Sequence, residues 1–169
     1  MELGVHDVRK WVGREEPFAV AAASLPGLED RLELPLRGPI QTSGRVRNAG
    51  TSLLVELEGS ALVQIVCARC GSLADLPVAF SDMAQFREEQ PGPEDDWFAY
   101  ENEIIRLDAW VSDEMVLAVP LAPLCRPDCR GLCPQCGADW NERTCECQAP
   151  TDDRWGALAG FRGRDDERD

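Results

Sequence analysis

The sequence predicts an α+β fold: a body that is mainly antiparallel β-sheet, one or two helices packed on it, and a small C-terminal cysteine-rich module. Three observations predict this. Apolar residues recur in twos between Phe18 and about Arg87, which is the period of a half-buried strand. From Asp108 to about Val119 they recur at helical spacing. Six of the eight cysteines lie between Cys125 and Cys147.

The strand pattern is clearest in three places, which are separated by turn signals. The alternating or continuous apolar runs are Leu32, Leu34 and Leu36, then Leu53, Val55 and Leu57, then Leu62 to Val66. The turn signals are Pro26-Gly27, Gly38-Pro39, Asn48-Ala49-Gly50 and Glu58-Gly59-Ser60. We therefore expect a series of short strands.

The segment Glu88 to Asp96 is acidic and interrupted by Pro and Gly, so we expect a solvated, mobile loop without a binding role. A short strand-like piece follows at Trp97 to Leu107. Asp108 is then placed to cap a helix that Pro120 ends.

One face of that helix is apolar, which predicts packing on the sheet rather than against a partner. Its residues are Val111, Met115, Ala118 and Val119. Trp97, Tyr100 and Trp110 are candidates for a contact surface, although core packing is the commoner use, above all for Trp110.

These patterns divide the chain into a body (residues 1–120), a cysteine-rich module (121–150) and a C-terminal helix with a frayed tail (151–169). The segment Leu124 to Cys147 has too few large apolar side chains for a core of its own, so it needs a cross-link such as a disulfide or a bound metal. Asp152 to Phe161 can form a short helix that docks on the body through Trp155, Leu158 and Phe161.

The formal net charge of −14 disfavours non-specific attraction to nucleic acid, which depends on Lys and Arg displacing counterions at phosphates. A basic protein surface is an easier partner. With 44% hydrophobic residues but no apolar run long enough to cross a bilayer, no membrane role is expected.

The first ten residues lack the basic region, apolar stretch and cleavage site of a secretory signal, so we expect the cytoplasm. Thiols are kept reduced there, which makes eight cysteines more typical of metal ligands than of disulfides.

The cysteines form three groups whose spacing indicates zinc. They are Cys67 and Cys70, then Cys125, Cys129, Cys133 and Cys136, then Cys145 and Cys147. A Cys-x2-Cys pair in a tight turn brings both sulfurs to one side of an ion, and closed structural sites use four ligands. Gly71 and Gly137 follow such pairs and permit a positive φ. Eight sulfurs therefore predict two structural Zn²⁺ ions.

The pairing of the groups stays open. In the local arrangement, Cys133, Cys136, Cys145 and Cys147 share one ion because they lie in one short stretch, and Cys67 and Cys70 share the other with Cys125 and Cys129. In the rival arrangement, Cys67 and Cys70 pair with Cys133 and Cys136, which leaves Cys125, Cys129, Cys145 and Cys147 together or partly free.

Catalysis has little support in the residues. All-cysteine sites have no open position for water, and the only histidine, His6, is far in sequence from every pair and is expected to be exposed. A redox Cys-x-x-Cys usually begins a helix, whereas Cys67 and Cys70 lie between two strand-like runs. Phosphate-loop, nucleophile-elbow and metalloprotease motifs are absent, so we predict neither an enzyme nor a small-molecule substrate.

The motif Leu121-Ala-Pro-Leu-Cys-Arg-Pro-Asp-Cys-Arg-Gly-Leu-Cys-Pro-Gln-Cys-Gly137, together with Cys67-Ala-Arg-Cys70, closely resembles the YceD-like family. The resemblance covers about Leu53 to Cys147. Cys67 and Cys70 match the family's Cys-x-x-Cys pair, and the four cysteines of the motif match its C-terminal run. The resemblance also implies that some relatives carry histidines where this chain has Cys145 and Cys147, an exchange natural for zinc ligands.

The resemblance implies a role in ribosome biogenesis, namely processing or accumulation of 23S ribosomal RNA, and implies no enzyme activity. The partner we expect is a basic ribosomal protein or another assembly factor. Two alternatives remain open: a thiol-disulfide oxidoreductase using Cys67 and Cys70, and direct RNA binding through the arginines beside the cysteines. Those arginines are Arg69, Arg126, Arg130 and Arg143.

Overall fold

The computed structural model describes residues 1–147 and Arg154. Its elements, in chain order, are β1 (Glu2–Gly4), α1 (His6–Arg9), β2 (Glu15–Ala22), α2 (Leu28–Leu32), β3 (Ile40–Asn48), β4 (Leu53–Val66), β5 (Leu73–Arg87), β6 (Phe98–Ala99), β7 (Ile104–Arg106) and α3 (Asp108–Ala118). The predicted helix at 152–161 and tail at 162–169 lie outside the described residues, apart from Arg154.

The chain forms two compact units, Met1–Cys129 and Arg130–Asp169. The boundary lies inside the segment 121–150 that was expected to be one module. The first unit therefore includes two of the C-terminal cysteines, Cys125 and Cys129.

A five-stranded sheet in the order β2-β3-β4-β5-β6 forms the body of the first unit. Its pairs are antiparallel except for the short parallel pair of β5 and β6. A second, two-stranded antiparallel sheet joins β1 to β7. With three helices beside these sheets, the predicted class, a mainly antiparallel α+β fold with a cysteine-rich C-terminal part, is confirmed.

The hairpin of β4 and β5 is the longest element of the sheet, with strands of 14 and 15 residues. Its register runs from the pair Leu53 and Phe86 to the pair Val66 and Leu73. Alternate residues of β4 face the core, among them Val55 and Val63, which are fully buried. Because the hairpin turn begins at residue 67, this strand pair carries the first cysteine pair at its tip.

The predicted turn at Glu58-Gly59-Ser60 is wrong, because these residues lie in the middle of β4. A Cβ atom at Gly59 would meet the Phe80 ring at 2.1 Å. Glycine is therefore needed here to leave room for an aromatic ring on the neighbouring strand rather than to turn the chain. The two short strands that the pattern suggested are one long strand.

Another glycine, Gly44, sets the approach of β3 to β4. A Cβ atom at this position would lie 1.9 Å from the carbonyl oxygen of Glu56, which is backbone and cannot move aside. The close approach of the two strands thus depends on the absence of a side chain.

The alternation of Leu32, Leu34 and Leu36 also differs from the prediction. Leu32 ends α2, Glu33 takes a left-handed φ of 53°, and Leu36 forms an isolated antiparallel bridge with Val63. All three leucines pack against the core while partly buried. The pattern correctly indicated buried side chains, but a helix end followed by a bridge produces the same spacing as a strand.

Helix α3 packs on the sheet through the predicted face, and Val111 and Met115 are fully buried. It begins at Asp108 with Leu107 as N-cap, so Asp108 is not the cap. Its carboxylate instead pairs with the α-ammonium group of Met1.

The aromatic residues considered for a contact surface belong to the interior. Trp110 is 2% exposed and contacts the rings of Phe86 and Phe98 at centroid distances of 5.7 and 6.2 Å. Its indole N–H donates to Asp82 at 2.8 Å. Trp97 and Tyr100 are also buried, so all three serve packing.

The acidic residues 88–96 lie outside the strands and are exposed, as expected for a solvated segment. Across residues 1–147, none of the helices has the length and apolar character needed to cross a membrane.

Candidate metal centres

The first cysteine pair is held by a tight turn that closes the β4–β5 hairpin. The N–H of Cys67 donates to the carbonyl of Ser72 at 2.8 Å, and the N–H of Gly71 donates to the carbonyl of Cys67 at 2.9 Å. Gly71 has φ +71°, as its position after the pair predicted, since only glycine takes this conformation without strain. We call this turn, residues 67–72, the first knuckle.

The second knuckle, residues 133–138, repeats the same hydrogen bonds. The N–H of Cys133 donates to the carbonyl of Ala138 at 2.8 Å, and the N–H of Gly137 donates to the carbonyl of Cys133 at 2.9 Å. Gly137 has φ +69°. Two segments 66 positions apart in sequence therefore share one local design, which turns the sulfurs of a Cys-x2-Cys pair to one side.

The first cluster combines the first knuckle with the Cys-x3-Cys pair that follows α3. Its four sulfurs, from Cys67, Cys70, Cys125 and Cys129, lie within 4.8 Å of one another. The Sγ atoms of Cys67 and Cys129 are 3.7 Å apart, as are those of Cys70 and Cys125. Four sulfurs at about 2.3 Å from a tetrahedral zinc would be about 3.8 Å apart. The geometry fits a closed four-sulfur site.

Two hydrogen bonds fasten the segment 123–129 to the first knuckle. The N–H of Ala68 donates to the carbonyl of Pro123 at 2.8 Å, and the Arg69 guanidinium donates to the carbonyl of Cys129 at 2.8 Å. These contacts bring the second pair of sulfurs to the first.

The second cluster lies wholly in the second unit and combines the second knuckle with Cys145 and Cys147. Its four sulfurs also lie within 4.8 Å of one another. Around them, the N–H of Trp140 donates to the carbonyl of Gly131 at 2.9 Å. The structure thus groups the sulfurs as in the local arrangement and not as in the rival one. None of the eight cysteines is in a disulfide.

The clusters differ in burial. In the first, Cys67, Cys70 and Cys129 are 2%, 8% and 1% exposed, and Cys125 is half-buried. In the second, Cys133 is buried and Cys145 half-buried, whereas Cys136 and Cys147 are exposed. Two cysteines of the second cluster are thus exposed to solvent, whereas three of the four in the first are buried.

Hydrogen-bond donors favour a thiolate at one sulfur in each cluster. Backbone N–H groups, first that of Cys125 and then those of Cys70 and Arg69, lower the pKa of Cys67 to about 6. The Trp140 indole N–H, 3.3 Å from the sulfur, is the main cause that lowers the pKa of Cys145 to about 6. A thiolate is the form that binds metal.

At one other sulfur in each cluster the pKa is raised, which disfavours a second thiolate beside the first. Burial is the main cause that raises the pKa of Cys125 to about 12, and hydrogen bonding with the Cys136 sulfur is the main cause that raises the pKa of Cys147 to about 12. A cation among the four sulfurs would lower these raised pKa values, since it stabilises every thiolate that contacts it.

Both clusters consist of cysteine alone, and soft tetrahedral sulfur sets are typical of Zn²⁺ or iron–sulfur centres. His6 is exposed, and its Nδ1 lies 2.7 Å from the Glu103 carboxylate, so it belongs to neither cluster. Four sulfurs would fill every position of a tetrahedral ion, so each cluster is compatible with a closed, structural centre.

The arginines beside the cysteines are divided between the two units. Arg69 and Arg126 belong to the first, Arg130 and Arg143 to the second. Arg69 is engaged with Cys129, and the Arg126 guanidinium lies 3.5 Å from the Asp128 carboxylate. In the first unit, these cations therefore support the protein's own loops.

Two side chains at the clusters were not predicted. The Ser72 hydroxyl lies 3.0 Å from the Cys70 sulfur, and Trp140 donates to Cys145. Each stands near a cysteine in sequence, and a hydroxyl or indole N–H at such a position is a usable signal for a donor to sulfur.

A β-sheet body with four-cysteine clusters built on knuckle turns defines a class of protein with two candidate structural metal sites. Within that class, the chain belongs to the family described as large ribosomal RNA subunit accumulation protein YceD, which matches residues 55–162. That range contains all eight cysteines.

Similar proteins occur in bacteria and plants. Uncharacterized proteins of Mycobacterium tuberculosis and Mycobacterium bovis are 31% identical over 124 residues, which is 70% of this chain and 60% of theirs. An Arabidopsis thaliana protein, described as a chloroplastic large ribosomal RNA subunit accumulation protein YCED homolog 1, is 22% identical over 84% of this chain and 54% of its own. The chain thus spans about 60% of the mycobacterial relatives' length. No solved structure matches it.

Proposed function

We propose that the protein is a non-enzymatic zinc-binding factor that supports processing or accumulation of 23S ribosomal RNA in the cytoplasm. The observation that carries this proposal is the family match over residues 55–162, which includes both cysteine clusters. The family's description names accumulation of an RNA and names no reaction.

The proposed cofactor is two structural Zn²⁺ ions, bound by all eight cysteines. Sulfur separations of 3.7 Å support tetrahedral coordination in the first cluster, and the repeated knuckle supports it in the second. Zinc in a site of this kind contributes folding energy and performs no chemistry of its own. In the first cluster, the cysteines would tie the hairpin tip to the segment 123–129.

A basic ribosomal protein or assembly factor is the proposed partner. The net charge of −14 becomes more negative when eight thiolates bind two dications, because each site then carries two excess negative charges. Such a surface attracts basic proteins and repels bare RNA. The arrangement of arginines does not offset this, since two of the four are occupied within the first unit.

The oxidoreductase alternative has less support than the structural sites. Cys67 and Cys70 lie in a hairpin turn and not at a helix N-terminus, and two further sulfurs lie beside them. A redox pair has to be accessible to its substrate disulfide, whereas Cys67 and Cys70 are buried.

Zinc content is the first test. Native mass spectrometry of the wild-type protein is expected to show two ions per chain, and the Cys67→Ser/Cys70→Ser variant is expected to keep one, since its second cluster is intact. A wild-type protein without zinc that forms disulfides readily would contradict the structural sites and favour the oxidoreductase.

The biological role is tested by replacing the chromosomal gene with variants. Loss of the gene is expected to reduce mature 23S ribosomal RNA and 50S subunits in sucrose gradients, and wild type should restore both. Cys67→Ser/Cys70→Ser should not. Met83→Ala, at a 59% exposed position outside both clusters, is the matched control and should restore both. Normal ribosomal RNA in the deletion strain would refute the role.

A further inference from the structure

The unequal burial of the two clusters has a chemical consequence, because oxidants attack sulfur only where they can reach it. We propose that Cys136 and Cys147 are an oxidation site: peroxide joins them in a disulfide and so releases the ion of the second cluster, while the first cluster keeps its ion. The inference rests on the proposed function in one respect, namely that zinc fills both clusters.

The reaction uses the sulfurs of the two exposed cysteines. One thiolate attacks hydrogen peroxide, giving a sulfenic acid and hydroxide, and the other thiolate then attacks that sulfur, forming the S–S bond and releasing a second hydroxide. Peroxide is reduced by two electrons, and the two thiolates supply them. Because the sulfurs of the cluster lie within 4.8 Å of one another, only a modest movement of the chain is needed to bring these two sulfurs to bonding distance.

Loss of these ligands removes half of the coordination. Only Cys133 and Cys145 remain, and two sulfurs do not hold zinc as four do. Residues 130–147 contain just two buried apolar side chains, Cys133 and Ala138, so this stretch has no core to replace the ion. We therefore expect it to unfold after oxidation.

The first cluster is protected by its surroundings. Three of its four cysteines are buried, and Leu124 packs against them. The hydrogen bonds from Ala68 to Pro123 and from Arg69 to Cys129 keep the two halves together. Oxidation there requires the turn to open first, which makes the rate depend on local unfolding.

The test uses the full chain loaded with two zinc ions. It is treated with hydrogen peroxide, and native mass spectrometry follows the ions while peptide mapping follows the disulfides. We expect the two-ion species to become a one-ion species at least about tenfold faster than the one-ion species loses its remaining ion. A disulfide between Cys136 and Cys147 should form at the faster rate. A dithiol reductant with added zinc should restore two ions.

Two variants assign the ions. Cys67→Ser/Cys70→Ser, which retains only the second cluster, should lose its ion at the fast rate of the wild type. Cys136→Ser/Cys147→Ser, which retains only the first, should keep its ion under the same treatment.

Loss of both wild-type ions at one rate, earlier loss from the first cluster, or a disulfide that excludes Cys136 and Cys147 would overturn the inference and leave the proposed function intact. A wild-type protein that contains no zinc before treatment would overturn both. The wild-type experiment alone decides the matter even if a variant fails to fold.

Discussion

At the scale of single residues, Gly44 is a position where one added carbon should lower stability strongly. A Gly44→Ala methyl would overlap the Glu56 carbonyl oxygen of the adjacent strand, so β3 and β4 must separate. Overpacking of this kind typically lowers the free energy of unfolding by about 1–3 kcal/mol. Urea denaturation followed by circular dichroism measures the loss.

Gly38→Ala is the matched control for this substitution. Nothing lies within 4 Å of a Cβ atom built at Gly38, and its φ is not positive. Its stability should stay within about 0.5 kcal/mol of wild type. Equal stability of the two variants would show that β3 and β4 do not approach as described.

A second prediction concerns the pH dependence of the contact between His6 and Glu103. The hydrogen bond from His6 is the main cause that lowers the Glu103 pKa below its ordinary value of 4.5. A carboxyl with a depressed folded-state pKa stabilises the fold above its unfolded-state pKa, and this contribution is lost as the pH falls through the folded-state value.

We expect His6→Ala to raise the Glu103 pKa toward 4.5, as measured by carbon-detected NMR titration of the side-chain carboxyl. Asp7 is the internal control. Its pKa is lowered mainly by a hydrogen bond from Lys10, so it should move much less. An unchanged Glu103 titration would show that the contact does not form in solution.

At the scale of elements, the knuckle glycines are required for backbone conformation alone. Gly71 has φ +71°, and nothing lies within 4 Å of a Cβ atom built there, so a side chain would meet strain but no clash. Gly71→Ala is expected to weaken zinc binding by the first cluster about fivefold, which corresponds to about 1 kcal/mol of left-handed strain.

Competition with a chromophoric chelator measures this affinity. Gly71→Asn should lose less, because Asn tolerates the left-handed region, and Gly4→Ala, on β1 without a positive φ, should lose nothing. If Gly71→Asn and Gly71→Ala weaken the site equally, strain is not the cause.

Local spacing predicted the elements well where one cause produces one pattern. The segment 108–118 has a helical stripe and a proline after it, and both its extent and its buried face were predicted. Gly59 was misinterpreted because a glycine in an alternating sequence indicates either a turn or an aromatic neighbour. The ring that decides the matter, Phe80, comes from another strand.

In the candidate sites, too, the features that depend on local spacing were predicted and those that depend on distant residues were not. Short-range spacing was enough to predict both knuckles and their glycines, and the structure brings together the four sulfurs of each cluster. The sequence alone could not decide whether Cys67 and Cys70 pair with Cys125 and Cys129, because that pairing depends on where α3 places the chain that follows it. Asp108 was assigned to the cap for a similar reason, since its partner at Met1 is distant in sequence.

At the scale of the whole molecule, the two units should respond differently to metal removal. The first has an extensive buried core, whereas residues 130–147 bury two apolar side chains. A strong chelator is therefore expected to abolish amide protection in residues 130–147 while the strands of the large sheet remain protected. Hydrogen exchange followed by mass spectrometry separates the two responses.

The zinc-loaded protein, treated with the same buffer and chelator already saturated with zinc, is the control. Simultaneous loss of protection in both units would mean that the sheet, too, depends on the metal. Retained protection in residues 130–147 would mean that this segment folds without an ion.

The sequence separation within the first cluster sets the order in which the chain can mature. Cys70 and Cys125 are 55 positions apart, and Cys67 and Cys129 are 62 apart, whereas the second cluster spans only residues 133–147. As the chain is synthesised from its N-terminus, the first knuckle at first provides only two sulfurs. The cluster is complete only after β5 and α3 have been synthesised and folded, because Cys125 and Cys129 follow them. In the proposed zinc-loaded protein, binding of the ion of the first cluster would therefore mark completion of the body, while the second cluster would bind its ion as soon as its own short segment has been synthesised.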